Sequence, residues 1–358
     1  MRKNHNFYLH LAFNIAQQNL GKTKNNPSVG CVVVKNGTVI SSGVTSINGR
    51  PHAEFNALNK KKNFKNSDLY VTLEPCTHFG KTPPCSNIIK KKGVKRVFYA
   101  FNDLDKRSSF KSKKILSKNG ILVKKINLKK FENFYQSYNS VHTNNLPQID
   151  AKIALSKDFF TINKRSKSIT NASSQKRTHL LRSEYECIIS TSKTINDDNA
   201  QLNCRVKGLD FSKPDLVIID LNLHLKKNLK ILNNKNKRKI ILITSVSKSK
   251  KLSFFKKKGL RIINIKKLQT KEDFIFLLKR IKKLNYNRIF LECGLIFLKS
   301  FIKNKIISNL YIFKTNFDLK KKGFNSTSVD FIKKLSINNR INVNLDKDNL
   351  YKINLKNV

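Results

Sequence analysis

The stretches "RPHAEFNALNK" (50–60) and "TLEPCTHFGKTPPC" (72–85) decide the fold of the N-terminal part of the chain. The first sets His52 two positions before Glu54, at the start of a helix-like run. The second closes a β-rich run and frames eight residues between Cys76 and Cys85. One imidazole and two thiolates make three ligands for Zn2+, and a catalytic zinc site keeps its fourth position open. The two thiolates balance the charge of the ion. Glu54 stays off the metal, placed to carry protons between nucleophile and leaving group. Pro51 suits a helix start, where its missing N–H is no loss. "PPCSN" puts Cys85 near the start of another helix, whose positive end favours a thiolate. Taken singly, a lone H-x-E is common and a buried Cys is usually a small hydrophobe. Their joint order points to a metal site, with His52, Cys76 and Cys85 as ligands and Glu54 as the catalytic group.

Around this nucleus the chain alternates helix and strand patterns. A helix spans roughly 6–19, and "VGCVVVKNGTVISSGVT" reads as two strands joined at Asn36-Gly37, a strong hairpin signal. His52 opens a helix to about Lys61, "DLYVTLEP" is a buried strand, "SNIIKKKG" a helix closed by Gly93, and "VKRVFYAF" a further strand. This predicts an α/β/α domain over residues 1–145. After a Pro-marked linker near 143–147, strands at "ECIIST", "PDLVIIDL", "RKIILITS", "LRIINI", "NRIFLECG" and "NLYIFKT" alternate with helices near 173–183, 271–284 and 295–304. That predicts a second α/β domain over 146–358, as a chain of 358 residues suits two domains.

The formal charge of +51 invites a nucleic-acid reading. A nucleic-acid footprint is a face or stripe against a balanced background, whereas here Lys is everywhere, as in "NKKKNFKN" and "SKSKKLSFFKKKG". Heavy use of Lys, Asn and Ile together points to an A/T-biased gene, so nucleic acid is not expected as a partner. No apolar run reaches the roughly 18–20 residues of a membrane span. The amphipathic "MRKNHNFYLHLAFNIAQQ" lacks the continuous apolar segment of a signal peptide. Six scattered Cys do not form a disulfide framework, and a reduced, cytoplasmic setting is expected.

The order His-x-Glu, Pro-Cys, Cys resembles the zinc-dependent cytidine-deaminase superfamily, in which the Glu is the general acid/base. The eight-residue Cys spacing and "NPSVGCVVV" (26–34) are similar to the riboflavin-pathway diaminohydroxyphosphoribosylaminopyrimidine deaminases. That resemblance implies substrate contacts from Asn26, His78 and Lys81. It also implies a fused reductase with a dihydrofolate-reductase-like fold. "AKIALSKDFFTINKRSKSIT" (151–170) looks like the opening of that reductase, with Asp158 kept, Lys157 and Phe159 replacing Leu and Gly, and Ser168 where a Trp is usual. "LLRSEYECIISTSKTINDDNAQLNCR" (180–205) is a closer match, and "RIFLECG" (288–294) resembles the late strand, with Cys293 for one Gly.

The resemblance implies zinc and NADPH as cofactors. Ala154, Ser168, Thr194, Asp198, Leu221 and Gly294 would line NADPH, Leu221 standing where a Ser is common. Ser166, Arg182, Leu202, Arg205 and Glu292 would face a phosphorylated sugar, with the two Arg suited to bidentate phosphate contacts. The implied enzyme is a homo-oligomer acting on a phosphorylated pyrimidine: zinc-dependent hydrolytic deamination of 2,5-diamino-6-ribosylamino-4(3H)-pyrimidinone 5′-phosphate, then NADPH-dependent reduction of the ribosyl chain. One segment departs from the family. In "FNDLDKRSSFKSKKILSKNGI" (101–121) the pattern D-P-x-P-x-V-x-G-x-G keeps its Asp but loses both Pro and both Gly, so an altered loop shape is expected. Two alternatives stand beside this reading: a nucleic-acid base deaminase with a basic C-terminal binding module, and a zinc-stabilised scaffold without turnover.

Overall fold

The computed structural model describes residues 4–166, 168–209, 213–233 and 238–355. The chain divides into two compact units between Asn145 and Leu146. Among the described residues no helix is long and apolar enough to cross a membrane.

The first unit holds helices α1 (His5–Gln17), α2 (Ala53–Leu58), α3 (Cys85–Lys91), α4 (Ser112–Ser117) and α5 (Gln136–Asn144). Its strands are β1 (Gly30–Lys35), β2 (Thr38–Val44), β3 (Asp68–Leu73), β4 (Arg96–Phe101) and β5 (Leu122–Lys125), ordered β2-β1-β3-β4-β5 in one sheet. The β1–β2 hairpin turns at Asn36 and Gly37, both with positive φ, the geometry that matches the strands' own twist. β1 also pairs antiparallel with β3, whereas β3, β4 and β5 run parallel. Every residue of β3 is buried, as a strand covered on both faces requires. α2 lies against β2 at Gly43, where a Cβ would come within 2.4 Å of the Ala53 carbonyl oxygen, so only glycine lets the helix sit this close. That close approach fixes the start of α2. The helix ends at Leu58, three residues short of the extent expected from the sequence, and His52 is its N-cap. Pro51 therefore precedes the cap and is not the first helical residue.

The second unit carries α6 (Ala172–Ser183), α7 (Ser192–Asp198), α8 (Lys250–Lys257), α9 (Lys271–Lys282), α10 (Leu295–Lys303) and α11 (Asp330–Lys333). Its strands are β6 (Gln148–Leu155), β7 (Ile162–Asn163), β8 (Cys187–Thr191), β9 (Asp215–Ile219), β10 (Ile240–Thr244), β11 (Arg261–Asn264), β12 (Arg288–Leu291), β13 (Asn309–Lys314), β14 (Gly323–Phe324) and β15 (Asn349–Asn354). Eight strands form one sheet in the order β11-β10-β9-β8-β12-β6-β13-β15, parallel except for the edge pair β13/β15. Their near-continuous Ile, Val and Leu content is what burial on both faces selects. α9 shows how local code meets packing. Thr270 and Asp273 form a capping box, and Phe274, Leu277, Leu278 and Ile281 bury one helical stripe. The strands foreseen in this half are all present, and the three helices lie within two residues of their expected ends.

Candidate active sites

In the first unit the metal set is built from two helix starts and one strand end. His52 caps α2, Cys85 opens α3, and Cys76 follows β3. Tetrahedral zinc, with bonds of about 2.3 Å to sulfur and about 2.05 Å to nitrogen, sets S and N about 3.6 Å apart. Sγ of Cys76 and Sγ of Cys85 lie 3.6 and 3.5 Å from His52 Nδ1, and the three donor atoms all lie within 4.8 Å of one another. The donor set therefore fits a zinc ion in spacing as well as in kind. The Cys85 backbone N–H donates to Cys76 Sγ at 3.2 Å. Cys76 is held well below the ordinary thiol value, first by hydrogen bonding from Cys85 and then, against its burial, by His52. Glu54, in the first turn of α2 and 4% exposed, faces this group. Burial, followed by the negative charge of Cys76, pushes its pKa up to about 7, the range in which one carboxyl can both take and give a proton.

Asn26 sits beside this cradle: its side-chain N–H donates to the Gly49 carbonyl at 2.7 Å, just ahead of Arg50, Pro51 and His52. His78 and Lys81 lie on the loop between the two Cys. His78 is half-buried and Lys81 exposed. The altered loop after β4 is anchored by Glu74, which the sequence did not single out. This buried carboxylate accepts from the backbone N–H groups of Asp103, Phe110 and Ser112 at 3.1–3.2 Å and from the Ser112 hydroxyl at 2.8 Å. Tyr138 donates to Asp103 at 2.6 Å. Phe110, at a position where the family pattern has Gly, takes φ 59°, so the chain adopts a left-handed conformation there without a Gly.

In the second unit the residues expected at the substrate come from α6, the segment after α7 and the end of β12. Arg182 clasps Glu292 through two hydrogen bonds of 2.6 and 2.9 Å, both side chains nearly buried. Burial raises the Glu292 pKa, but the charge and hydrogen bonds of Arg182 outweigh it and hold the carboxyl below its usual value. Arg182 also donates to the Asn203 carbonyl at 3.0 Å. Its fork is thus already engaged, contrary to the expectation of an Arg free for phosphate. Arg205 is exposed and holds Asn203 Oδ1 at 2.7 Å. Ser166 and Ser168 turn toward each other in one loop, Ser166 donating to the Ser168 carbonyl at 3.2 Å. Leu202 has φ 47° and a buried side chain, so only its backbone is offered outward.

Of the residues expected at the cofactor, Thr194 and Gly294 are brought together. A Cβ built on Gly294 would lie 4.0 Å from Thr194 Oγ1 and meet nothing closer. Gly294 caps α10 without a side-chain partner, leaving the first-turn amides open to an anion such as a cofactor phosphate. The residues present fit a dinucleotide phosphate. Ala154 lies on β6 beside Phe313. The Leu221 carbonyl is taken by Ser245 and Thr244, and Asp198 ends α7. The sequence reading missed Lys152, whose pKa is lowered by burial and raised in turn by Glu292, and His179, which touches the Asn203 carbonyl at 2.8 Å. Strand alternation offered a signal for Lys152, which shares a face of β6 with Ala154.

Comparisons with known proteins agree with this geometry. Residues 2–101 match the cytidine and deoxycytidylate deaminase zinc-binding region, and residues 147–315 match the RibD C-terminal domain. The riboflavin biosynthesis protein RibD of Aquifex aeolicus is 32% identical over 310 residues, covering 86% of this chain and 85% of that protein. That of Buchnera aphidicola is 33% identical over 328 residues, covering 86% of each. The structure of Acinetobacter baumannii RibD superposes with a TM-score of 0.82 at 25% identity, over 98% of this chain and 99% of that one. A Thermotoga maritima diaminohydroxyphosphoribosylaminopyrimidine deaminase/5-amino-6-(5-phosphoribosylamino)uracil reductase gives 0.82 at 22% identity over 98% of each chain, a likeness of fold. These findings favour the fused deaminase–reductase over a nucleic-acid deaminase and over an inert zinc scaffold.

Proposed function

The chain belongs to the RibD family of bifunctional riboflavin-biosynthesis enzymes, and from that membership we propose how its own residues divide the work. It is a deaminase and a reductase in one chain, using zinc and NADPH. The substrate of the first half is the diaminopyrimidine ribosyl phosphate, which loses its 2-amino group as ammonia. The second half reduces the ribosyl chain to ribityl.

His52, Cys76 and Cys85 hold the zinc, and the ion supplies Lewis-acid activation of water when bound. Glu54 receives a proton at its carboxylate and returns it to the leaving nitrogen, a role suited to its burial and raised pKa. Asn26, His78 and Lys81 orient the substrate over that carboxylate. In the reductase half NADPH supplies the hydride when bound. Gly294 and Thr194 receive its phosphates, with Ala154, Ser168, Asp198 and Leu221 along the rest of the cofactor. Arg205, the more open of the two Arg, takes the substrate phosphate. Arg182 holds Glu292 in place for the ribosyl hydroxyls, with Ser166 and the Leu202 backbone beside it. We place the enzyme in the cytoplasm, a reading supported by six cysteines of which none is paired in a disulfide.

The observation that carries the deaminase assignment is the pair of S···N spacings, 3.6 and 3.5 Å, with Glu54 alongside. The test incubates purified zinc-loaded protein with the diaminopyrimidine phosphate, with and without NADPH. Ammonia in both samples and NADPH oxidation in one is the expected result. Ammonia without NADPH oxidation would remove the reductase half, and neither signal would remove the whole reading.

A further inference from the structure

Ser108 stands where the family pattern of this loop has Val, counting from Asp103, and it is completely buried. Its hydroxyl reaches across to the Cys76–Cys85 loop. The Thr77 backbone N–H donates to Ser108 Oγ at 3.1 Å, and Ser108 Oγ lies 2.6 Å from His78 Nδ1. The proton count then fixes the imidazole. Oγ already accepts one hydrogen from Thr77 and has no other side-chain or backbone partner among the described residues. Accepting a second from His78 would leave its own buried O–H without an acceptor, a cost of about 1–3 kcal/mol for an ordinary buried donor, equivalent to about ten- to a hundredfold. The hydroxyl therefore donates to His78 Nδ1. That nitrogen bears no hydrogen, and the ring proton sits on Nε2.

Nε2 in turn faces a defined spot. A Cβ built on Gly80 would lie 3.7 Å from His78 Nε2 and 3.5 Å from Arg50 Nη2, so the two groups border the same space over Gly80. Arg50 is itself steadied by a hydrogen bond to the Thr82 hydroxyl. Both bordering groups are donors, and Lys81 adjoins them in sequence. Two donors bordering one space suit an anionic oxygen.

We propose that Ser108 is a positioning residue of the deaminase half, locking His78 with its Nε2–H toward Arg50 so that the pair receives the phosphate of the substrate. The inference rests on the deaminase reading above. It also gives the altered loop a purpose: a residue that a Val could not replace now braces the substrate side of the site from beneath.

The test uses the full-length zinc-loaded chain labelled with 15N, together with steady-state deamination of the pyrimidine phosphate and of its dephosphorylated form. In the wild type, long-range 1H–15N correlations are expected to show His78 protonated on Nε2. Ser108→Ala is expected to mix the two tautomers and to raise KM for the phosphorylated substrate about tenfold, with kcat changed less than about twofold, as for a lost binding contact. The dephosphorylated substrate should show no such change, and Ser108→Thr, which keeps the hydroxyl, should restore the wild-type KM. An Nδ1–H signal in the wild type, or a Ser108→Ala enzyme with unchanged KM, overturns the proposal. If the alanine variant does not fold, the wild-type spectrum and the threonine variant decide. A wild type that makes no ammonia refutes the deaminase reading instead, while the His78 spectrum still judges the lock.

Discussion

In the deaminase unit the chain gathers donor groups that a divalent ion could complete. Two sulfurs and an imidazole converge within 4.8 Å beside a buried Glu54. In the reductase unit the chain balances its own site: Arg182 and Glu292 are locked together at 2.6 and 2.9 Å before any ligand arrives. A divalent ion bound to such a donor set reverses the local electrostatics and favours the thiolates. A buried ion pair needs no ligand to balance its charge, and Arg182 holds the Glu292 carboxylate still. The fold positions both sites, the first around a set of metal donors and the second around an ion pair.

The sharpest way to break that contrast is at Glu54. Glu54→Gln should keep stoichiometric zinc by metal analysis and lower ammonia release by at least about a thousandfold, toward the upper range for a general acid–base. An active variant would take Glu54 out of the mechanism. The counterpart is Arg182→Ala, which strands Glu292 as a buried, unpaired carboxylate. A loss of about 3–5 kcal/mol in the denaturation of the reductase unit is expected, with ammonia release retained. A loss below about 1 kcal/mol would show that the pair carries no such burden.

A smaller effect comes from His179. Burial, and then the charges of Arg182 and Arg205, lower its pKa to about 4. Between about pH 4 and 6.5 the unfolded chain therefore binds a proton that the folded chain does not. Stability should rise with pH through that window and level off above it. Allowing for the partial exposure of the ring, about 1–2 kcal/mol is involved. His179→Gln should flatten the slope in urea melts taken from pH 4.5 to 7.5, and an unchanged slope would locate it elsewhere. The least effect is expected at Phe110, 71% exposed and left-handed. Phe110→Gly relieves the strained φ while loosening the unfolded chain, for a net gain of about 0.5 kcal/mol. A loss of stability would mean that the exposed ring is needed.

The two sites were unequally legible. His52, Glu54, Cys76 and Cys85 fall within a span of 34 residues and carry residue types whose coincidence is rare, so the metal set could be named outright. The reductase residues could be named only by resemblance, since an Arg on a helix and a Glu at a strand end are common. Nothing in the sequence said that Arg182 would be consumed by Glu292, 110 positions away. Glu74 escaped notice for the same reason. It looks like any acidic residue at a strand end until the loop 36–38 residues later hangs its amides on it.

The sequence by itself determined the central strands of both units, the hairpin at Asn36-Gly37, and a His, Cys, Cys set that could hold a metal, while β5, β15, α4, α5 and α8 were not foreseen. Hydrophobic period, turn chemistry and donor type are properties of short stretches. The tertiary structure alone decided which donors were already spent. The clasp of Arg182 on Glu292, the anchoring of the altered loop on Glu74, and the grip of Ser108 on His78 across 30 positions all belong to it. A hydrogen bond forms over about 3 Å, and only the stacking of helices on the sheets brings such distant groups within that range.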